Sequence, residues 1–465
     1  MPHHEKNQPH CIVIGGGFAG TTAAVRLTEQ GVRVTLIEAR ERLGGRVQSL
    51  TDSVTGEIID NGQHLMMGCY NAALRLLDTL GTVHLLRRQK ALRVWFADCT
   101  DSTASRPEVF SLDASRLPGK LGVALGMMTL YGLTWREKRD LMRFALRLQL
   151  NLIRTHGKTA EALLREEKQS ERVIMRLWEP IILATLNTSV AESSATLFVA
   201  VMRLAFFGGA KASQMLLAET GLDEVLPPAQ SWLEKRGSSV RTGLVSEILS
   251  ENGRACGVRL KSGEEICADA VLSAVPAHAL WKILPSDLRA EPDFACVTQF
   301  HSSPIISVYL WFDREFMEQD FIALLGTTVQ WVFNRRKLCR AEKAVVERYP
   351  CHLALTVSVA ESLAGAGQQD IVNTCVTDLR SAFPEAHAAA LLHARVIREK
   401  NATTLFTPAN EHLRPQARTP LHGLFLAGDW TDTALPATIE SAAQSGEAAA
   451  TAVIESFGSA VFKGG

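Results

Sequence analysis

Three glycines, Gly15, Gly17 and Gly20, stand in G-x-G-x-x-G spacing, and an acid, Glu38, follows eighteen residues after the last of them. Such a set can hold a diphosphate. The first glycine permits a tight turn from strand to helix, the second lets the anion approach the backbone, and the third lets the helix lie against the strand. Phe18 and Ala19, inside the motif, would present backbone N–H groups at the helix start, where the peptide dipoles favour negative charge. A carboxylate at position 38 can accept hydrogen bonds from a ribose diol and would repel a 2′-phosphate, which disfavours NADP.

The surrounding elements are the ones this chemistry needs. "CIVI" reads as a buried strand, "TTAAVRLTEQG" as a helix stopped by Gly31, and "VRVTLIE" as a second strand ending at Glu38. A lone glycine motif is weak, but strand, loop, helix, strand and acid here appear in the required order. "ARERLGGRV" then adds Ala39, Arg40, Gly44, Gly45 and Arg46, a second glycine turn for which NAD has no use. Near the other end, "LFLAGD" is a buried strand closing on Gly428 and Asp429. It is followed by "TALPATIESAAQSGEAAATAVI", a helix rich in small residues with Ala437, Thr438 and Ile439 near its start. Small side chains allow a ring system to approach, and the helix start offers N–H groups to a carbonyl or phosphate.

Together these motifs resemble the flavin amine oxidase and phytoene desaturase superfamily. The resemblance implies FAD, with Gly44, Gly45 and Arg46 helping to hold its phosphates and running beneath the flavin. It also implies Asp429 as the ribityl and pyrophosphate acid, and Ala437, Thr438 and Ile439 beside the isoalloxazine. "LEKRGSSVRTGLVSEILSENGRACGVRLKSGEEICADAVLSAVPAHAL" alternates strands and turns; there Val245 corresponds to the residue whose backbone meets the adenine. The expected fold class is α/β. A Rossmann-like FAD-binding domain is assembled from residues 1–85, 222–290 and 400–465, with an inserted α+β substrate-binding domain from 86–221 and 291–399. No second G-x-G-x-x-G follows a strand, so no separate NAD(P)H domain is expected, and no motif identifies the electron donor.

"DNGQH", Asp60 to His64, separates an apolar strand end from an amphipathic helix over Tyr70–Leu80. It reads equally as active-site furniture and as a turn with a capping Asn61 and a core His64. "DNGQHLMMGCYNAALRLLDTLG", "LWEPIILATLNT" and "GDWTDTALPATIESAAQSG" resemble the squalene-associated FAD-dependent enzymes, the hydroxysqualene dehydroxylase family, and the likeness spans almost the whole chain. It implies a long hydrophobic isoprenoid substrate and reductive loss of an allylic hydroxyl, giving squalene and water in squalene and hopanoid biosynthesis. His64 is then the candidate acid and Asp60 its orienting partner.

Three other readings share parts of this pattern. A carotenoid-type desaturase or isomerase would use the same FAD motifs on a similar lipid. An amine oxidase fits less well, since the chain has four tyrosines and none lies in the closing motif. A non-catalytic prenyl-lipid carrier would have no need of an intact glycine cradle.

Composition excludes several classes. Lys+Arg and Asp+Glu balance at 49 each over 465 residues, which argues against a nucleic-acid binder. Nine scattered cysteines with no C-x-x-C pair argue against a zinc site or disulfide scaffold, and His3, His4 and His10 read as a frayed tail rather than a metal site. The polar start "MPHHEKNQPH" has no apolar core of signal-peptide length and no window reaches roughly 18 uninterrupted apolar residues, so neither a signal peptide nor a membrane span is expected. A cytoplasmic protein is expected, with peripheral contact to the inner face of the cytoplasmic membrane. The apolar stripes of "LPGKLGVALGMMTLYGLTWREKRDLMRFALRLQL" and "RLWEPIILATLNTSVAESSATLFVAVMRLAFFGGAKAS" suit core, a hydrocarbon tunnel or a membrane-dipping surface. The cluster Arg335, Arg336 and Lys337 reads as a solvated turn or a contact for headgroups or a reductase.

Overall fold

The computed structural model describes residues 8–458, except 102, 104, 118 and 210. His3 and His4 lie outside the described residues; His10 is buried, its Nε2 paired with Thr35 Oγ1 at 2.9 Å.

A five-stranded parallel sheet forms the first layer. Its strands are β1 (His10–Ile14), β2 (Arg33–Glu38), β3 (Ser239–Thr242), β4 (Ala270–Ser273) and β5 (Leu424–Leu426), in the order β3-β2-β1-β4-β5. All four pairings are parallel, which explains why "CIVI" and "AVLS" are buried along their whole length rather than alternating. Helices α1 (Phe18–Glu29) and α2 (Ile439–Phe457) pack on one face. The two cross backbone to backbone: a Cβ on Gly446 would stand 2.2 Å from the Ala19 carbonyl oxygen. Between β3 and β4, strands Val245–Glu251, Arg254–Leu260 and Glu265–Cys267 form a small antiparallel sheet. Its first turn is Asn252-Gly253, with φ of 51° and 72°, the left-handed pair that a tight hairpin requires.

The second large element is a seven-stranded sheet, in the order Leu391–Thr404, Ser302–Phe312, Cys351–Ser358, Trp331–Asn334, Phe321–Leu325, Arg93–Asp98, Glu108–Asp113. Helices between residues 119 and 207 cover it, sharing a core in which Trp178 meets Phe144 and Phe198 edge-on at 5.5 and 5.8 Å. The long apolar stretch before residue 150 is two helices, Gly119–Met128 and Trp135–Gln149, the second started by a Thr134–Glu137 capping box. Among the described residues no helix is long and apolar enough to cross a membrane.

A hairpin, Ser49–Thr51 with Ile58–Asp60, joins the two halves. The Asp60 backbone meets the Tyr309 hydroxyl through both its N–H (3.1 Å) and its carbonyl (2.9 Å).

Candidate functional site

The two glycine turns of the N-terminal motif face one another. Gly15 has φ of +99° and donates to the Ile37 carbonyl at 2.8 Å. A Cβ on Gly20 would lie 1.9 Å from the Gly15 carbonyl oxygen, so only glycine lets α1 start so near β1. Gly44 donates to the Gly16 carbonyl at 2.9 Å, and a Cβ on Gly45 would approach the Gly17 Cα to 3.0 Å. The first turn of α1, with Phe18 and Ala19, carries no acid and no side-chain cap, leaving its N–H groups for an anion. Glu38 stands beside this cradle, accepting from Gly16 N at 2.7 Å and Arg40 N at 3.1 Å. Ala39 continues the chain into this turn, and the Arg40 guanidinium reaches Gln48 at 3.2 Å. Gly243 donates to the Glu38 carbonyl at 2.8 Å, and buried Val245 follows two residues later at the same end of the sheet.

The C-terminal motif closes on this edge. Gly428, with φ of +142°, donates to Ser445 Oγ at 2.8 Å, and Trp430 Nε1 donates to the Val275 carbonyl at 2.9 Å. Arg46 donates to Asp429 Oδ1 at 2.6 Å, so residues 383 positions apart meet in an ion pair. Burial alone would lower the Arg46 pKa, but the Asp429 charge outweighs it and holds the guanidinium above its ordinary value. Thr438 caps α2 by accepting from Ser441 N, with Ala437 before it and Ile439 opening the helix. The residues therefore fit FAD: two side-chain-free turns and an uncapped helix start for the diphosphate, an acid at the ribose end, and the start of α2 at the ring end.

Arg414 was not apparent from sequence. Buried, it donates to the carbonyls of Leu435 (2.8 Å) and Thr431 and so braces the loop after β5; burial lowers its pKa to about 10.

Beside Thr438 lies a small, mostly apolar pocket lined by Met67, Tyr70, Thr185, Val201, Leu204 and Leu435, among others. Two polar groups in its wall also escaped the sequence reading. Glu440 accepts from Ala72 and Ala73 N–H groups at 3.0 Å each, capping the helix Asn71–Leu80 from more than 360 residues away. The Tyr70 hydroxyl is buried and its pKa is raised, chiefly by desolvation. An acid in the first turn of α2 and a tyrosine before a helix are ordinary in sequence, and no local signal links them.

His64 is partly buried, in the loop between the hairpin and strand Leu65–Met67. Burial holds its imidazole below the ordinary 6.5; the Asp60 charge opposes that shift and the Arg46 charge adds to it. Asp60 does not hydrogen-bond to His64 among the described residues. Its carboxylate accepts from Ser49 Oγ (2.6 Å) and Leu222 N (3.0 Å) and pairs with buried Arg335 (3.3 Å). Its connection to His64 is therefore through charge and through the loop it anchors, since Arg335 also donates to Gln63 Oε1 at 3.1 Å and to the Ile58 carbonyl at 2.7 Å.

This corrects the expectation for the basic cluster. Arg335 and Arg336 are not in a solvated turn: their side chains are 3 % and 5 % exposed and pair with Asp60 and Glu57. Only Lys337 stays exposed enough to meet solvent. The reason is that Asn334 starts a short helix directly after a buried strand, turning both arginines inward beneath the hairpin.

The comparisons with known proteins agree with this geometry. The model of the flavin containing amine oxidoreductase family matches residues 18–454. Hydroxysqualene dehydroxylase of Rhodopseudomonas palustris is 30 % identical over 95 % of this chain and 97 % of its own. The 15-cis-phytoene desaturase of Synechococcus elongatus is 26 % identical over 95 % of each chain. Among solved structures, an oxidoreductase from Methanosarcina mazei superposes with a TM-score of 0.74 at 17 % identity, covering 96 % of this chain and all of the other. The chain belongs to the flavin-containing amine oxidoreductase family and is an FAD-dependent oxidoreductase of α/β fold.

Proposed function

We propose that this protein removes the allylic hydroxyl of hydroxysqualene reductively, forming squalene and water. The observation that carries the reading is the apolar wall of Met67, Val201, Leu204 and Leu435 beside Thr438, where the helix of the closing FAD motif begins. The near-full-length similarity to hydroxysqualene dehydroxylase supports it. A long hydrocarbon suits a wall of Met, Leu and Val, and the acid there, Glu440, is committed to the Ala72 and Ala73 N–H groups rather than free to pair with an amine. The residues that hold FAD are those of the cradle (Gly15, Gly17, Phe18, Ala19, Gly20), Glu38 to Arg46, Val245, and Gly428, Asp429 and Ala437 to Ile439.

When bound and reduced, FAD supplies a hydride. The protein must provide the rest. The carbon–oxygen bond breaks as hydride arrives at the allylic carbon, and one proton must reach the departing hydroxyl so that it leaves as water. His64, on its anchored loop, is the group we assign to deliver that proton, with Asp60 and Arg335 positioning the loop. Apolar walls keep water from the developing allylic cation. We take residues 1–85, 222–290 and 400–465 as the FAD-binding unit and 86–221 and 291–399 as the substrate unit, the strand Leu391–Thr404 running across that division. A cytoplasmic location is part of the same proposal.

The test is anaerobic: reduced enzyme mixed with hydroxysqualene should reoxidise and yield squalene. Because burial lowers the His64 pKa, the single-turnover rate should rise as pH falls through and below 6.5, where more imidazole is protonated. His64→Ala should stay yellow, lose that pH dependence and slow by about a hundredfold. No squalene, together with reduction of oxidised enzyme by a polyene that still carries CH–CH bonds to be desaturated, would move the assignment to the desaturase reading that the phytoene desaturase similarity supports.

A further inference from the structure

A second surface is built on the helices Gly119–Met128 and Trp135–Gln149, away from the cofactor motifs. Leu121 is 66 % exposed, Tyr131 64 % and Trp135 80 %. The helix Trp135–Gln149 turns Leu141, Phe144, Ala145 and Leu148 into the core. Its outer face carries Trp135 and Arg136 at one end, Arg139 and Arg143 along its length, and exposed Leu146 and Leu150 at the other. A helix that needed only solubility would not put tryptophan and leucines on this face.

Charge is segregated in the same place. Between residues 114 and 154 there are eight Arg or Lys against two acids, in a chain whose net charge is zero. Both acids are engaged by the protein itself. Glu137 closes the capping box with Thr134 and accepts from Ser170 Oγ at 2.7 Å, and buried Asp140 pairs with Arg139 at 3.0 Å. The surface thus presents aromatic and leucine side chains set among cations. That mixture matches a membrane interface, where Trp and Tyr sit at headgroup depth and Arg and Lys reach lipid phosphates.

We propose that this face docks on the surface of an anionic lipid bilayer. The helices beneath make the location meaningful: both pack on Ala195–Phe207, whose Val201, Leu204 and Ala205 line the pocket beside Thr438. A lipid-dissolved substrate would meet the protein on the side that holds its pocket. That last link rests on the function proposed above; the docking does not.

The test uses full-length, FAD-loaded protein and vesicles without substrate. It should float with phosphatidylcholine vesicles containing about a third phosphatidylglycerol, far less with phosphatidylcholine alone, and release at about 1 M salt. The double variants L121S/W135S and R136E/R143E should each weaken partitioning by about tenfold or more, with FAD content and thermal midpoint unchanged. Three results would overturn the proposal: no flotation, variants that float like the parent, or a dimer whose formation requires Trp135 and which ignores vesicles. Flotation without squalene formation would leave docking intact and remove the substrate assignment.

Discussion

The glycine cradle and the hairpin that ends at Asp60 meet where the Asn61 side chain donates to the Arg46 carbonyl at 2.7 Å, yet they are specified by different means. In the cradle the close contacts are backbone against backbone: Gly20 on the Gly15 carbonyl, Gly45 on Gly17. Each requirement is a residue type at a fixed spacing, complete within about thirty residues of chain. The hairpin is held instead by side chains from far away. Asp60 reaches Leu222, Tyr309 and Arg335, separated from it by 162, 249 and 275 positions. A site made of backbone geometry leaves little room for added side chains; a site made of buried charge depends on every partner arriving.

The largest expected effect lies in the cradle. Gly20→Ala forces a Cβ to within 1.9 Å of a carbonyl oxygen that cannot move without opening the turn. The variant should purify colourless, or not fold, with at least about 3 kcal/mol lost. Gly31→Ala is the matched control, since nothing lies within 4 Å of its Cβ and only its φ of +79° opposes the change; a loss of about 1 kcal/mol with full FAD is expected. Equal flavin content in the two variants would erase the distinction between the cradle and an ordinary glycine turn.

The hairpin should fail differently. Arg335→Met leaves the Asp60 carboxylate buried beside an apolar side chain, which costs about 3–5 kcal/mol. The double variant R335M/D60N removes the unpaired charge while keeping an acceptor for Ser49 and Leu222, and should recover most of that loss. Urea unfolding measures both. A single variant within about 1 kcal/mol of wild type would show that the pair does not hold the loop.

These two outcomes also explain what the sequence made legible. Gly15, Gly17, Gly20 and Glu38 act through turn geometry and spacing, so their strand–helix–strand setting could be named before any fold was known. The buried strand "CIVI" was legible in the same way, from a short apolar run ending at glycine. Arg335 and Arg336, by contrast, looked like a solvent-facing basic turn, because nothing in "NRRKL" shows that a hairpin 275 residues earlier offers Asp60 and Glu57. Glu440 and Arg414 were missed for the same reason: their partners are backbone groups of Ala72, Ala73, Thr431 and Leu435, which carry no sequence signature. The break between the helices Gly119–Met128 and Trp135–Gln149 was less hidden, as Thr134 and Glu137 already spell a capping box.

The smallest effect tests the one cradle residue that works through a side chain. Glu38→Ala removes the acceptor for Gly16 N at 2.7 Å and for Arg40 N at 3.1 Å, but every glycine contact stays in place. FAD affinity should therefore fall by only about tenfold, on the order of one and a half kcal/mol, as expected for losing hydrogen bonds to a charged acceptor at the ribose end. Glu38→Gln keeps one acceptor for Gly16 N and should lie between the two. If Glu38→Ala bound FAD as tightly as wild type, the acid would be a brace for the turn and not a ribose ligand. If it lost FAD as fully as Gly20→Ala, the cradle would depend on this side chain as the hairpin depends on Arg335, and the contrast between the two regions would not hold.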